Sequence, residues 1–210
     1  MSSTPQSSAP STATDRARRR LAWLVDPVTS VLMRLGVTPN LITILGALAN
    51  AGVGVLAATG NLTLAGIVFV ASGLLDGLDG ALARRLGIAG RFGAFLDSAL
   101  DRYSEAFVLF GLLIYAGDRG MVLEERLVYI TLVGSLLISY TRARAEGLRV
   151  ECRVGLLTRM ERYLLMAAML ITGQVTIGLV ILAVLTHFTA FQRILHVRRI
   201  MRDTHTSGPR

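Results

Sequence analysis

The sequence has 210 residues, enough for one domain of ordinary size. It is 52% hydrophobic and 17% charged, with a mean hydropathy of +0.56, which argues against an ordinary soluble protein. The net charge of +8 comes from 22 arginines and no lysine; in so apolar a chain it favours an anionic membrane surface or a phosphate-bearing substrate over nucleic acid. The single cysteine, Cys152, excludes an internal disulfide and a thiolate metal cluster.

The first 37 residues predict a tail and a surface segment. Residues 1–15 are rich in Ser, Thr, Pro and Ala and contain no apolar run, so they predict a disordered tail and not a secretory signal peptide. A basic cluster at 16–20 is followed by Trp23 and apolar residues. This pattern favours a juxtamembrane amphipathic helix within 16–37 that lies along the membrane surface. The alternative is an ordinary solvated basic segment.

Six apolar stretches follow, each near the roughly 20 residues that cross a bilayer as a helix. The sequence therefore predicts an all-α membrane protein with six transmembrane helices, in a domain over 38–200 that is followed by a cytoplasmic tail over 201–210. Tight turns predicted at Gly60-Asn61 and Thr172-Gly173-Gln174 would make hairpins of spans one and two and of spans five and six. The predicted spans are 41–58, 62–83, 94–116, 121–141, 156–173 and 175–193.

The arginine distribution predicts the orientation of these spans. With the amino terminus in the cytoplasm, nineteen of the 22 arginines fall in cytoplasmic segments. Only Arg119 and Arg126 fall in outside loops, and Arg102 lies within a span. The positive-inside rule then predicts a multi-pass protein of the cell membrane, with both termini and the active site on the cytoplasmic side.

Four aspartates lie near the cytoplasmic ends of spans two and three. Asp76 and Asp79 are three residues apart, and Asp97 and Asp101 are four apart, so each pair lies on one face of its helix. Ionised side chains are costly in a membrane helix and usually functional there, and four converging carboxylates need a compensating charge. Oxygen ligands suit Mg²⁺, Mn²⁺ or Ca²⁺, and two such ions about 4 Å apart would suit phosphoryl transfer.

The carboxylates leave an alternative function open. They could line a divalent-cation transporter, but they cluster near one side of the membrane and no matching polar residues continue through spans five and six. Glu105 continues the Asp97–Asp101 face one turn deeper. It could orient a metal ligand or pair with Arg102.

The segment 76–101 carries a specific motif. It begins DGLDGALAR, and a glycine and two further aspartates follow at regular spacing. The segment resembles the signature D-x2-D-G-x2-A-R-x8-G-x3-D-x3-D of the CDP-alcohol phosphatidyltransferase family, and all its fixed positions match. The family's six-span architecture with an amino-terminal surface helix implies that the resemblance covers about 21–200. The fixed positions are Asp76, Asp79, Gly80, Ala83, Arg84, Gly93, Asp97 and Asp101.

The resemblance implies a reaction and roles. The protein would transfer a phosphatidyl-type group from a CDP-activated lipid, with ester- or ether-linked chains, to an alcohol and release CMP. It would act as a homodimer. Asp101 would be both a metal ligand and the general base that takes the acceptor's proton. The implied ligands of two Mg²⁺ or Mn²⁺ ions are Asp76, Asp79, Asp97 and Asp101, and the implied CDP-binding residues are Asn40, Thr43, Asp76, Gly80, Ala83, Arg84 and Gly93.

The acceptor is the least constrained part of the prediction. Arginines near the cytoplasmic ends of spans four to six suit bidentate phosphate binding, and their pattern is similar to the branch of the family that uses inositol phosphate, except that the first position is commonly Lys there. Glycerol phosphate is the next candidate, ahead of neutral acceptors such as serine or inositol. Such arginines also anchor spans to anionic headgroups. The nominated acceptor residues are Arg142, Arg159, Arg162 and Arg193.

Overall fold

The computed structural model describes residues 27–206, with side chains described over 27–203. Seven helices and no strand occur in this part of the chain, which confirms the all-helical class. The predicted tail over 1–15, and the surface helix region as far as residue 26, lie outside the described residues, as do 207–210. The helices are α1 (27–34), α2 (Pro39–Ala58), α3 (Leu62–Leu86), α4 (Arg91–Gly117), α5 (Val122–Gly147), α6 (Arg159–Thr172) and α7 (Val175–Thr206).

Local sequence signals set the helix ends. Thr38 caps α2, and its hydroxyl accepts a hydrogen bond from the Leu41 amide at 3.3 Å. At the start of α6, the Glu161 carboxylate accepts from the Thr158 amide at 2.8 Å, as in a capping box. Gly60 and Gly173 adopt positive φ of 89° and 69°, a region that glycine enters without strain. Both predicted tight turns are therefore present.

The helices form one up-and-down bundle, in which consecutive helices from α2 onwards run in opposite directions. The extensively packed pairs are α2 with α3 and α4, α5 with α4 and α7, and α6 with α3 and α7. The starts of α2, α4 and α6 lie at the same end as the ends of α3, α5 and α7, and we call this the site end. The core between the helices is aliphatic, with Val53, Leu109, Leu170 and Leu182 almost fully buried.

The α2–α3 hairpin keeps a regular register about its turn. The Thr43 hydroxyl donates to Asp79 Oδ2 at 2.7 Å, and the Ser72 hydroxyl donates to Asn50 Oδ1 at 3.1 Å. Counted along the chain, Thr43 and Asp79 both lie 18 residues from Asn61, and Asn50 and Ser72 both lie 11 residues from it. Polar contacts between apolar helices are selective because unpaired polar groups are costly there, so these two contacts fix the register of the hairpin.

Two glycines let α2 and α4 approach closely. A side-chain carbon at Gly54 would collide with the Phe107 carbonyl oxygen, and one at Gly111 would collide with the carbonyl of Gly54. Small residues at such crossings allow backbone contact, which is typical of helices that pack in lipid. This contact holds α4, which carries Asp97 and Asp101, against α2.

Within the described residues, three helices are long and apolar enough to cross a membrane: Pro39–Ala58, Leu62–Leu86 and the Val175–Asp203 part of α7. α4 and α5 are 27 and 26 residues long but carry more charged groups, and α6 has 14 residues. Many large apolar side chains are exposed on the outside of the bundle, such as Leu48 at 61%, Leu74 at 69% and Phe110 at 61%. Exposed apolar surface on this scale fits contact with lipid.

Candidate active site

Three of the four predicted metal ligands meet at the site end. Asp76 lies in the last turns of α3, and Asp97 and Asp101 lie in the first turns of α4. One carboxylate oxygen from each of these three residues falls within 4.8 Å of the others. Three oxygen donors this close fit a hard divalent cation such as Mg²⁺ or Mn²⁺. The helix spacings thus bring together the chemistry that the sequence indicated.

Asp79 lies beside this group but is held differently. It is 7% exposed, and its carboxylate accepts from the Thr43 hydroxyl at 2.7 Å and from the Gly80 amide at 2.5 Å. These bonds orient the side chain between α2 and α3. They also link Asp79 to Thr43, one of the predicted CDP-binding residues.

The Arg159 guanidinium bridges two of the clustered carboxylates. Its Nη2 donates to Asp76 Oδ2 at 2.5 Å and also to Asp101 Oδ1. Arg102 Nη1 lies 3.3 Å from Asp101 Oδ2. Both oxygens of Asp101 therefore lie beside guanidinium groups, one from Arg159 and one from Arg102. A predicted acceptor arginine and the predicted general base thus share one contact.

A cavity of about 410 Å³ opens beside this cluster between α2, α3, α4, α5 and α6. Asp76 and Asp101 line it on one side. Arg142, Arg159 and Arg162, three of the four predicted acceptor residues, also line it. Apolar residues contribute part of the wall, among them Ala47, Phe69, Leu100 and Met166. The cavity therefore offers carboxylates, guanidinium groups and apolar surface to one ligand.

Arg162 is anchored within the protein by Glu105. Its Nε and Nη2 lie 3.0 Å from Oε1 and 3.2 Å from Oε2 of that carboxylate. The Ser135 hydroxyl donates to the same Oε1 at 2.7 Å. Glu105 thus pairs with Arg162 and not with Arg102, the partner that the sequence suggested. Nothing in the spacing of α4 could indicate a partner on α6.

Arg193 lies outside the main cavity. It is 4% exposed, and its guanidinium donates to the carbonyl oxygens of Val154 at 3.0 Å and Ile138 at 2.5 Å. These are backbone contacts to the segment that precedes α6 and to α5. Its surroundings are those of a residue that supports the neighbouring loop.

That loop is held by a row of α7 side chains that the sequence did not single out. The Thr189 hydroxyl accepts from the Leu157 amide at 3.0 Å, and Gln192 Oε1 accepts from the Leu156 amide at 3.1 Å. A ring nitrogen of His196 lies 3.2 Å from the Glu151 carbonyl oxygen. With Arg193, these residues fix the loop that leads into Arg159. In the sequence these residues are marked only by their spacing along α7. That spacing indicates a shared role only once the loop is known to lie against this face.

The remaining predicted CDP-binding residues also lie at the site end. A side-chain carbon at Gly93 would be 3.5 Å from Asn40 Oδ1, so the starts of α2 and α4 meet there. At Gly80 such a carbon would be 3.2 Å from Arg84 Nη1, so the Arg84 side chain folds back along α3. Ala83 is half-buried on the next turn.

The Tyr163 contact with α3 was not foreseen from the sequence. Its hydroxyl donates to the carbonyl oxygens of Phe69 and Val70, each at 3.1 Å. A side chain at Gly73 would occupy the place of the Tyr163 hydroxyl. This contact packs α6 on α3 directly below Arg159 and Arg162, and so fixes the helix that carries both.

Comparison with known proteins agrees with this geometry. Residues 36–192 match the model of the CDP-alcohol phosphatidyltransferase family. The archaetidylinositol phosphate synthase of Pyrococcus horikoshii is 34% identical over 185 residues, which is 88% of this chain and 96% of that protein. The phosphatidylinositol phosphate synthase of Cutibacterium acnes is 34% identical over 167 residues, or 76% of this chain and 79% of that one.

Solved structures of one relative have the same fold. The Mycobacterium tuberculosis phosphatidylinositol phosphate synthase with CDP-DAG bound superposes with a TM-score of 0.80 at 33% identity, covering 84% of this chain and 94% of that one. The same enzyme in complex with manganese and citrate gives a TM-score of 0.77 at 33% identity, with 82% and 88% covered. The extent of these matches confirms the resemblance of the 76–101 motif, and the chain belongs to the CDP-alcohol phosphatidyltransferase family.

Proposed function

We propose that the protein transfers a phosphatidyl-type group from a CDP-activated lipid to inositol 1-phosphate, and releases CMP. The observation that carries this proposal is the single cavity in which Asp76 and Asp101 face Arg142, Arg159 and Arg162. A diphosphate donor and a phosphorylated acceptor both need positive charge, and the acceptor hydroxyl needs a base. The cavity supplies both from this chain, apart from the metal.

The carboxylate cluster has a defined part in the proposed reaction. Asp76, Asp79, Asp97 and Asp101 would hold two Mg²⁺ or Mn²⁺ ions. When bound, such ions neutralise the diphosphate and stabilise the leaving CMP. Asp101 accepts the proton of the acceptor hydroxyl, because a carboxylate within hydrogen-bond reach can act as a general base. The hydroxyl oxygen attacks the lipid-side phosphorus, the bond from that phosphorus to CMP breaks, and a phosphodiester lipid forms.

The donor side of the site is assigned to the starts of α2 and α4 and the end of α3. Asn40, Thr43, Asp76, Gly80, Ala83, Arg84 and Gly93 are the residues proposed for CDP. The close approach of Gly93 to Asn40, where an added side-chain carbon would lie 3.5 Å from Oδ1, and the hydrogen bond from Thr43 to Asp79 support a shared pocket. The relative solved with CDP-DAG supports a lipid nucleotide as donor.

The acceptor proposal rests on the arginines and on the relatives. Arg142, Arg159 and Arg162 line the cavity, and guanidinium groups bind phosphate in a bidentate manner. The named relatives are synthases of phosphatidylinositol phosphate or archaetidylinositol phosphate. Arg193 would act indirectly, through the loop that it supports. Glycerol 3-phosphate, the other phosphorylated candidate, is an outcome of the test below.

The membrane arrangement is also a proposal. Six spans, an amino-terminal surface helix and cytoplasmic termini are inferred from the three apolar helices and the arginine distribution. A homodimer is inferred from the resemblance to the family. α6 would be about 21 Å long at 1.5 Å per residue, shorter than a hydrocarbon core of about 30 Å. The fifth crossing therefore needs the segment before Arg159 to lie within the protein below the membrane surface.

CMP release by the purified protein tests the function. The assay contains CDP-diacylglycerol, Mn²⁺ and one acceptor from a panel of inositol 1-phosphate, glycerol 3-phosphate, serine and inositol. We expect release with inositol 1-phosphate, abolished by EDTA. Asp101→Asn should reduce the rate by about 100-fold or more, the scale of general-base catalysis, while Asp118→Asn at the other end of the bundle should not.

The other results of this assay are equally informative. Release with glycerol 3-phosphate alone would keep the enzyme class and overturn the acceptor. No release with any acceptor or with an ether-linked donor, together with passage of Mn²⁺ into liposomes, would restore the cation-transporter alternative. The family match already argues against that alternative.

A further inference from the structure

We propose that Glu105 is a positioning residue, which holds the Arg162 guanidinium by one edge so that its Nη1 can bind the phosphate of the acceptor. This inference rests on the proposed function, since it assumes an anionic acceptor in the cavity. It assigns a role to a carboxylate that is not part of the family signature in 76–101.

The geometry of the pair leaves one nitrogen for a ligand. Glu105 takes the Nε and Nη2 edge of Arg162 at 3.0 and 3.2 Å. Nη1 is on the side of the planar guanidinium away from this edge, so it can donate to the phosphate of the acceptor substrate. A carboxylate that binds two nitrogens of one guanidinium fixes its plane as well as its position. Glu105 and Arg162 both line the cavity, so an ordered Nη1 would be placed for a ligand there.

The pair is buried and is itself held in place. The side chains of Arg162 and Glu105 are 5% and 17% exposed. The Ser135 hydroxyl donates to Glu105 Oε1 at 2.7 Å from a third helix, α5. The Glu105 side chain therefore has partners on two other helices, which restricts its rotation. Burying two charges costs free energy that an apolar pair would not, so their presence at this depth points to function.

The position of the pair suggests why an ion pair is used. α4 and α6 are not among the extensively packed helix pairs of the described chain. The Glu105–Arg162 and Asp101–Arg159 contacts connect them across the cavity. The Arg159 side chain is 50% exposed and shares carboxylates that the metals need. The Glu105 carboxylate is outside the metal cluster, so its hold on Arg162 can persist when substrates and metals bind.

Steady-state kinetics of Glu105→Gln test the proposal. Glutamine keeps the shape of the side chain but presents an amide NH₂ group in place of one carboxylate oxygen. We expect the KM for inositol 1-phosphate to rise by about 30-fold or more, the scale of losing one partner of a buried charge pair. The KM for CDP-diacylglycerol and the affinity for Mn²⁺ should stay close to wild type.

Glu124→Gln is the matched control. Glu124 is also buried, at 8% exposed, and accepts a hydrogen bond from Thr176 at 2.5 Å. It lies in the first turn of α5, at the end of the bundle away from the site. A general effect of neutralising a buried carboxylate would appear in both variants as a lower unfolding temperature. A selective rise in the acceptor KM should appear in Glu105→Gln alone.

A double-mutant cycle with Arg162→Gln shows whether Glu105 acts through Arg162. Residues that act as one unit are non-additive, so Glu105→Gln should add almost nothing to the acceptor KM of Arg162→Gln. The double variant also removes both charges of the pair, which guards against a Glu105→Gln protein that fails to fold.

Three results would overturn the inference. A lower acceptor KM in Glu105→Gln would mean that Glu105 only neutralises Arg162. Equal losses for the acceptor, the lipid nucleotide and Mn²⁺ would place its effect on the aspartate cluster. Additive effects in the cycle would separate it from Arg162. Failure of the proposed function is distinguishable, because it would appear in the wild-type protein as no CMP release with inositol 1-phosphate.

Discussion

The Thr43 hydroxyl links a proposed CDP-binding residue to Asp79, a proposed metal ligand. Its oxygen lies 2.7 Å from Asp79 Oδ2, to which it donates, and 3.1 Å from the carbonyl oxygen of Pro39 within its own helix. A buried carboxylate that loses a hydrogen-bond donor becomes less well ordered, and its ionised form is less stabilised. This one oxygen atom therefore affects the position of the carboxylate from across the α2–α3 interface.

Replacing Thr43 by valine should weaken metal binding. Valine preserves the volume and removes only the hydroxyl, so we expect Mn²⁺ affinity to fall by about tenfold, consistent with one hydrogen bond to a charged group. Isothermal titration with Mn²⁺ measures it. The control is Thr59→Val, since the Thr59 hydroxyl makes only local bonds, to the carbonyl of Leu56 and from Asn61 Nδ2. Unchanged affinity in Thr43→Val would mean that Asp79 needs no second-helix support.

The aspartates could be predicted from the sequence, whereas the individual arginine contacts could not. Spacings of three and four residues on a helix place side chains on one face wherever the helix packs. The guanidinium of Arg193 is different, because its contacts to Val154 and Ile138 depend on how a loop and α5 lie against α7. The pairing of Glu105 with Arg162 likewise depends on tertiary structure.

At the scale of helices, the α2–α4 crossing has the least tolerance for added volume. Gly54→Ala should lower stability by about 2 kcal/mol, within the range for overpacking, because the new methyl would meet the backbone of Phe107. Thermal unfolding in detergent, followed by circular dichroism, measures the change. Gly52→Ala is the matched control, with nothing within 4 Å of the added carbon. It should be neutral or slightly stabilising, since alanine favours helix more than glycine.

The α7 side chains that hold the loop before α6 should affect acceptor binding from a distance. Thr189→Val removes the hydroxyl that accepts a hydrogen bond from the Leu157 amide, while it keeps the side-chain volume. We expect faster amide hydrogen exchange across 150–158 and a rise of a few-fold in the acceptor KM. In the control Thr172→Val, the lost bonds are local, because the Thr172 hydroxyl donates to the carbonyl of Ala168 and accepts from the amide of Gln174. Unchanged exchange in Thr189→Val would show that the other α7 contacts are sufficient to hold the loop.

Helix limits show the same division between local and tertiary information. The start of α2 at Pro39 and the turns at Gly60 and Gly173 follow from residues that cap or break helices. α6 begins at Arg159 and not at the predicted 156 because the preceding residues give their amides to α7. Likewise α7 continues to Thr206, past the predicted apolar limit at 193, because a helix can extend beyond the lipid into water.

For the whole molecule, orientation in the membrane is the property to test. In a Cys152→Ala background, Asp118→Cys and Arg149→Cys place single exposed thiols at opposite ends of the bundle. In intact cells, a membrane-impermeant maleimide should label the first and not the second, because the arginine-rich side belongs inside. Labelling of the Arg149→Cys protein alone would show that the orientation is the reverse of the predicted one, with the site at the outer face.

The register of the α2–α3 hairpin has a consequence for how this chain can vary in length. Asp79 is 18 residues from Asn61, or about 27 Å along the helix at 1.5 Å per residue. One residue gained or lost at the Gly60-Asn61 turn would advance α3 by one position and turn its face by about 100°, which would part Asp79 from Thr43. The turn therefore sets which residues of α2 and α3 meet at the opposite end of the hairpin. Insertions and deletions should be tolerated in the segment 118–121, and avoided at the distant Gly60-Asn61 turn.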